Sequence, residues 1–215
     1  MFPQREHARF SAALADTWSD AFVPVRLPRE RFVRGVAEHD RGYAEHDVDE
    51  IGQVPRDRWL AIQERGFAPT GEDTVADLVV ALHVRRLVSG GDDDRSRRLL
   101  QAMDATLPAL VREGGVPAGD AAAADRITDL CDRISFDFCL EEPDSGAVDL
   151  LGADGSQARI SYAVDGHGTI VLDPWPLDRP ALGGTLHAYA AAGYPEVLEE
   201  VPTPFAVEPR GGAGR

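Results

Sequence analysis

The sequence has no lysine at all: its 22 basic residues are all arginine. Against them stand 23 Asp and 14 Glu, giving a formal net charge of −15. A chain so poor in positive charge is not built to neutralise a phosphate backbone, which excludes DNA or RNA as the main partner. It is equally unsuited to anionic membrane surfaces. No apolar run approaches the ~20 residues that a membrane helix requires. The first nine residues are charged and lack the apolar core of a secretion signal, so a cytoplasmic protein is expected. Only two cysteines occur, Cys131 and Cys139, both in an apolar stretch. That excludes a disulfide framework or a zinc finger and predicts reduced core thiols. What is present is a 43% hydrophobic share over 215 residues, enough for a real core in one domain of ordinary size or one with a small appendage.

The first two thirds carry the helical period. Residues 4–19 place His7, Phe10, Leu14 and Trp18 on one stripe, and Pro24 and Pro28 then break the chain. Residues 29–44 line up Phe32, Val36, His39, Asp40 and Tyr43. A loop with Gly52 and Pro55 precedes a short helix through Trp59 to Arg65. Residues 73–89 align Val75, Val79, His83 and Leu87 before Gly90-Gly91 stops them. Helices are also expected over 94–113 and 119–141. The last is apolar on more than one side, which suits a central position. From Pro143 the period becomes two: Ile160, Tyr162 and Val164 alternate with polar residues, Asp165-Gly166 signals a hairpin turn, and Ile170 and Leu172 continue. Further strands are expected near 184–190 and 197–207. The predicted fold is mainly α: a helical domain over 1–142, a small antiparallel β appendage packed on it over 143–209, and a disordered tail over 210–215.

The chemistry lies in the polar residues on apolar stripes: His7, His39 with Asp40, His83, and Asp132 in the most apolar helix. A buried carboxylate costs several kcal/mol unless paired or bound to a cation. Four helices aiming imidazole or carboxylate at one core would be relieved together by a shared ion, and these ligand types suit Zn, Fe, Mn or Ni. The bland alternative for each histidine is a hydrogen-bonded core residue, and for Asp132 a salt bridge to a buried arginine. The doublet is the demanding part, because helix neighbours diverge by about 100°. His46, His167 and His187 read as solvent-facing, and Asp92-Asp93-Asp94 as a helix N-cap. Glu38-His39-Asp40 is echoed at 45–47 without further repeat.

The order histidine, His-Asp, histidine, Asp resembles the HD-domain superfamily. More closely, the combination of His7, "HDRGY" at 39–43, "ALHVRRL" at 81–87, "DRIS" at 132–135 and "DPWP" at 173–176 resembles an uncharacterised prokaryotic family of unknown function. The superfamily resemblance implies a helical bundle holding one or two divalent transition metals. It implies His7, His39, Asp40 and Asp132 as ligands, with Asp40 able to bridge two ions. It also implies catalytic roles for Asp40, His83 and Arg41, and Arg85, Arg86 and Tyr43 facing a small phosphorylated substrate. His83 is left as either a ligand or a phosphate-facing group, Arg41 as another partner for phosphate oxygens, and Tyr43 as either a substrate contact or core packing. Trp175 in DPWP is expected to anchor the sheet. Two departures stand out: the lysine that often follows the His-Asp pair is missing, and so is a second consecutive histidine in the middle helices. The readings that follow are a metal-dependent phosphohydrolase, a di-iron oxygenase, or a non-catalytic ligand-binding module, with the oligomeric state left open.

Overall fold

A computed structural model describes residues 1–22, 26–43, 53–140, 144–152 and 154–211. Pro24, Gly52, His46 with its 45–47 echo, the switch point Pro143 and the tail from 212 lie outside the described residues. Six helices come first: α1 (Gln4–Asp16), α2 (Arg29–Ala37), α3 (Arg56–Phe67), α4 (Thr74–Val88), α5 (Asp94–Gly114) and α6 (Ala118–Cys139). Their starts follow local chemistry. Pro28, Pro55 and Pro117 precede α2, α3 and α6, where a missing N–H is harmless. Asp73 accepts from Val75 N and Ala76 N at the head of α4, and Asp93 from Ser96 N at the head of α5, the N-cap role expected of that acidic run. Gly115, at φ +63°, ends α5 in the left-handed region.

The expected helix over 29–44 is corrected. It ends at Ala37, and residues 38–43 run on as tight turns closed by His39 N to Val36 O, Arg41 N to Glu38 O and Tyr43 N to Asp40 O. The cause is a close approach between backbones. A Cβ at Gly42 would stand 2.1 Å from the Ile62 carbonyl oxygen, so only glycine lets this segment lie on α3. The Gly42 carbonyl in turn accepts from Arg65 at 2.9 Å.

Five strands follow: β1 (Asp144–Leu151), β2 (Gln157–Val164), β3 (Thr169–Asp173), β4 (Leu182–Tyr189) and β5 (Glu200–Pro209). The α+β character and the C-terminal position of the sheet agree with expectation, and the turn at Asp165-Gly166 joins β2 to β3. The antiparallel expectation is corrected: the order is β1-β2-β3-β5-β4, and β3 pairs with β5 in parallel, Ile170 opposite Val207. The chain leaves β3, takes the far edge as β4, and returns between them as β5. The returning strand must therefore run alongside β3 in the same sense. Strand β1 has no counterpart among the expected strands. Its Gly146 and two aspartates dilute the pattern, and only Val148 and Leu150 are buried.

One apolar core joins the helices to the sheet. Phe10 of α1, Phe138 of α6 and Phe205 of β5 meet with ring centroids 4.3–6.3 Å apart, and Ile160, Ile170, Leu172 and Val207 belong to the same cluster. Helix α6 packs on α1, α4, β1 and β2, the central position expected of it. The end of DPWP and the two residues after it anchor the sheet mainly through backbone: Ser19 N donates to Pro176 O, Asp178 N to Thr17 O, and Trp18 bridges to Leu177. Trp175 is only partly buried against the core. Cys131 and Cys139 are buried thiols. Among the described residues no helix is long and apolar enough to cross a membrane.

Candidate metal centre

Four elements deliver five side chains to one point. His7 comes from α1, His39 and Asp40 from the turns after α2, His83 from α4 and Asp132 from α6. The early end of α2 answers the difficulty posed by the doublet, since in a tight turn neighbouring side chains need not diverge as on a helix. All three histidines are buried at 1% exposure, and the carboxylates are nearly so at 10% for Asp40 and 14% for Asp132.

The separations are short. His7 Nε2 lies 3.1 Å from Asp132 Oδ1 and 3.2 Å from His39 Nε2. Asp40 Oδ2 lies 3.5 Å from both of these imidazole nitrogens. His39 Nε2 lies 3.5 Å from Asp132 Oδ1. Each imidazole is oriented from behind. His39 Nδ1–H donates to the Val36 carbonyl at 2.6 Å, so the neutral ring would carry its lone pair on Nε2. His7 Nδ1 lies 2.7 Å from Ser135 Oγ. Ser135 Oγ also lies 3.0 Å from the Asp132 carbonyl and 2.6 Å from Ser11 Oγ, a hydroxyl pair that fixes the His7 ring from behind. The Nε2 atoms of His7 and His39 thus converge on the carboxylate oxygens of Asp40 and Asp132. In the metal-free chain protonated imidazole satisfies these carboxylates by hydrogen bonding, and a cation that displaced the proton would find the same atoms converging on it.

The electrostatics follow. Burial disfavours the His39 imidazolium, but Asp40 and Asp132 outweigh it and raise His39 to about 9. Burial works against ionised Asp132 as well, yet His83, His39 and His7 hold it well below the usual carboxylate range. Asp40 is likewise lowered against burial by His39 and His83. His83 goes the other way: burial, with the positive charges of His39 and Arg86, keeps it low despite Asp132 and Asp40.

The remaining expected residues separate. Arg41 donates to Gly66 O, Ala68 O and Asp77 Oδ1 at 2.7–2.9 Å and so clamps the His-Asp turn onto α3 and α4. Arg85 pairs with Asp104 at the surface. Arg86 sits behind His83, paired with Asp125 and with Asp129 at 3.1 Å. Tyr43 lines the cleft above the cluster. His167 and His187 are exposed. Not anticipated were Ser11, Ser135, the Val36 carbonyl and the acids Asp125 and Asp129. The spacing of Asp125, Asp129 and Asp132, four and three residues apart on one helix, is a stripe that could have signalled the last two.

A cleft of about 250 Å³ opens over the cluster, lined by His7, Asp40, His83 and Asp132 with Trp59, Phe136 and Arg133 among its walls. Among the described residues two sets could hold a metal ion, His7 with His39 and Asp132, and His39 with Asp40 and His83. Residues 1–187 match the family described as "Protein of unknown function (DUF3891)". No curated protein and no solved structure matches the chain.

Proposed function

We propose that this chain, which belongs to the DUF3891 family of proteins of unknown function, is a metal-dependent hydrolase acting on a small phosphorylated substrate. His7, His39, Asp40 and Asp132 would hold the ion. One observation carries the reading: His7 Nε2, His39 Nε2 and Asp132 Oδ1 stand 3.1–3.5 Å from one another, with Asp40 Oδ2 3.5 Å from both imidazole nitrogens. Ligands at 2.0–2.1 Å around one shared tetrahedral ion stand about 3.3 Å from each other. Zn, Fe, Mn and Ni all accept this donor set.

A divalent ion here supplies Lewis acidity toward a phosphoryl oxygen and acidifies water near neutral pH. The chain's own residues do the rest. The carboxylates of Asp40 and Asp132 stay ionised and bind; Val36 O and Ser135 orient the imidazoles; Trp59 and Phe136 limit water in the cleft. Arg133, on the cleft wall, is a guanidinium suited to an anionic oxygen. The volume fits a small molecule rather than a polymer.

A second reading, a two-metal oxygenase, draws support from Asp40, whose Oδ2 faces His7 and His39 while Oδ1 faces His83 at 3.7 Å. The test is metal analysis of chain purified without chelator, followed by a panel of phosphate monoesters. The hydrolase reading expects a transition metal that His39→Ala abolishes, and turnover that returns with zinc. A metal-free protein with an unaffected variant would sink both metal readings. An iron-dependent charge-transfer band with no phosphatase turnover would favour the second.

A further inference from the structure

Resting on the metal reading above, we propose that His83 is not a ligand but the hydrogen-bond donor that receives an anionic oxygen of the substrate, and that Arg86 positions it. Arg86 Nη2 lies 2.9 Å from His83 Nδ1. A guanidinium has donors and no acceptor, so Nδ1 accepts in this contact, and the single proton of a neutral imidazole resides on Nε2. That Nε2 is buried and has no hydrogen-bond partner. Asp40 Oδ1 stands 3.7 Å from it, beyond hydrogen-bond reach. His83 lines the cleft floor with His7, Asp40 and Asp132.

His39 is wired the opposite way, with Nδ1–H bonded behind it to the Val36 carbonyl, so that on losing its second proton it turns a lone pair toward the carboxylates. His39 can therefore offer a lone pair at Nε2 where His83 offers an N–H. Arg86 is not at liberty to release its partner, because Asp125 and Asp129 hold the rest of its guanidinium. For His83 to ligate through Nε2, its proton would have to move to Nδ1 and face the Arg86 donor head-on. One ion is therefore expected. A buried N–H left without a partner is rare, and a phosphoryl oxygen entering the cleft would satisfy it.

The test uses the full chain loaded with zinc. Zinc affinity is measured by competition with a chromophoric chelator, inorganic phosphate affinity by calorimetry, and imidazole protonation by nitrogen-15 NMR. His83→Ala should bind zinc within about threefold of the parent yet lose phosphate affinity by about tenfold or more, the usual range for a hydrogen bond to a charged group. His83→Gln, whose amide N–H replaces the donor, should recover much of the loss. The parent spectrum should show a protonated Nε2 and a lone pair on Nδ1 for His83. Arg86→Met should shift those signals, and where that variant does not fold the parent spectrum decides. The inference is overturned by a His83 Nε2 that coordinates zinc, by two ions per chain, by zinc lost from His83→Ala as from His39→Ala, or by unchanged phosphate affinity. Failure of the metal reading has its own signature: His39→Ala then keeps the parent's zinc affinity, and the inference falls with it.

Discussion

Asp77 and Asp132 are carboxylates on neighbouring core helices, and the protein neutralises them in opposite ways. Asp77 is 2% exposed and accepts from Thr70 N, Thr70 Oγ1, Gly71 N and Arg41 at 2.7–3.2 Å. Burial alone would raise its pKa, but those N–H groups and the guanidinium lower it. Its bonding is complete, and nothing further is required of the solvent. Asp132 faces imidazole nitrogens instead, His7 Nε2 at 3.1 Å and His39 Nε2 at 3.5 Å, with the nearest Arg86 nitrogen 3.6 Å away. The first arrangement is closed by N–H groups and a guanidinium and serves the fold; the second is built from imidazoles and could hold a metal ion. The two are connected, because the Arg41 that completes Asp77 also ties down the turn carrying His39 and Asp40. The closed pair is the mount on which the open cluster is held.

The largest expected effect breaks the closed pair. Asp77→Ala leaves the Arg41 guanidinium only the partly exposed Glu38, at 3.5 Å, and breaking a buried ion pair from one side costs about 3–5 kcal/mol. Urea unfolding with and without zinc measures it: stability should fall in both conditions, while the zinc affinity of the folded protein changes far less than in the next variant. An equal loss of zinc affinity would erase the distinction between mount and cluster.

Next comes the open cluster. His39→Ala should weaken zinc binding by about a hundredfold or more, roughly 2.7 kcal/mol. The pH dependence sharpens this further. In the metal-free chain His39 titrates at about 9, above its unfolded value of about 6.5. Its contribution to stability is thus fully present below pH ~6.5 and is lost as pH rises through about 9. Zinc requires the deprotonated imidazole, so its affinity rises across the same window, by up to about tenfold per pH unit for one proton released. Asp40 and Asp132, both lowered, stay ionised throughout. Thermal melts from pH 6 to 9 should show the metal-free midpoint falling while the zinc-induced increment grows. Both trends should flatten in His39→Ala.

Much of this was legible in the sequence, and the failures have physical causes. Helices of strong period, the central α6, the alternating face of β2 and the five cluster residues all follow from where polar groups interrupt apolar stripes. The end of α2 was not legible, because it is set by a contact between Gly42 and Ile62, 20 residues away in sequence. Periodicity reports the face of an element and not its tertiary stops. The parallel β3–β5 pair was hidden for a related reason, since alternation fixes which side is buried but not which strand lies beside which. Roles for individual arginines were the least legible. Arg41, Arg85 and Arg86 have the same charge, and only their partners separate a clamp, a surface pair and a histidine's support.

A smaller effect tests the layer behind the ligands. Ser135 lies three residues after Asp132 on α6, so both face α1, and its hydroxyl is hydrogen-bonded to His7 Nδ1 at 2.7 Å. Ser135→Ala keeps all four donors and removes only the orientation of one. Losses of this kind run to about 10–100-fold in metal affinity, less than for His39→Ala. The chelator competition described above reads the difference. A loss as large as His39→Ala would show that Ser135 does more than orient.

The smallest effect separates two adjacent arginines. Arg85 Nε donates to Asp104 at 2.7 Å with both side chains about half exposed, and solvent-exposed pairs of this kind contribute about 0–1 kcal/mol. Arg85→Ala should therefore leave zinc affinity, phosphate affinity and the His83 spectrum unchanged and move stability by no more than about 0.5 kcal/mol. Arg86, one position on, turns inward by a helical step to meet His83, Asp125 and Asp129. A phosphate-affinity loss in Arg85→Ala would mean that the exposed guanidinium swings over the cleft when the substrate arrives. The anion would then be held from the surface as well as from the floor, and the contrast between closed and open pairs would extend to the arginines.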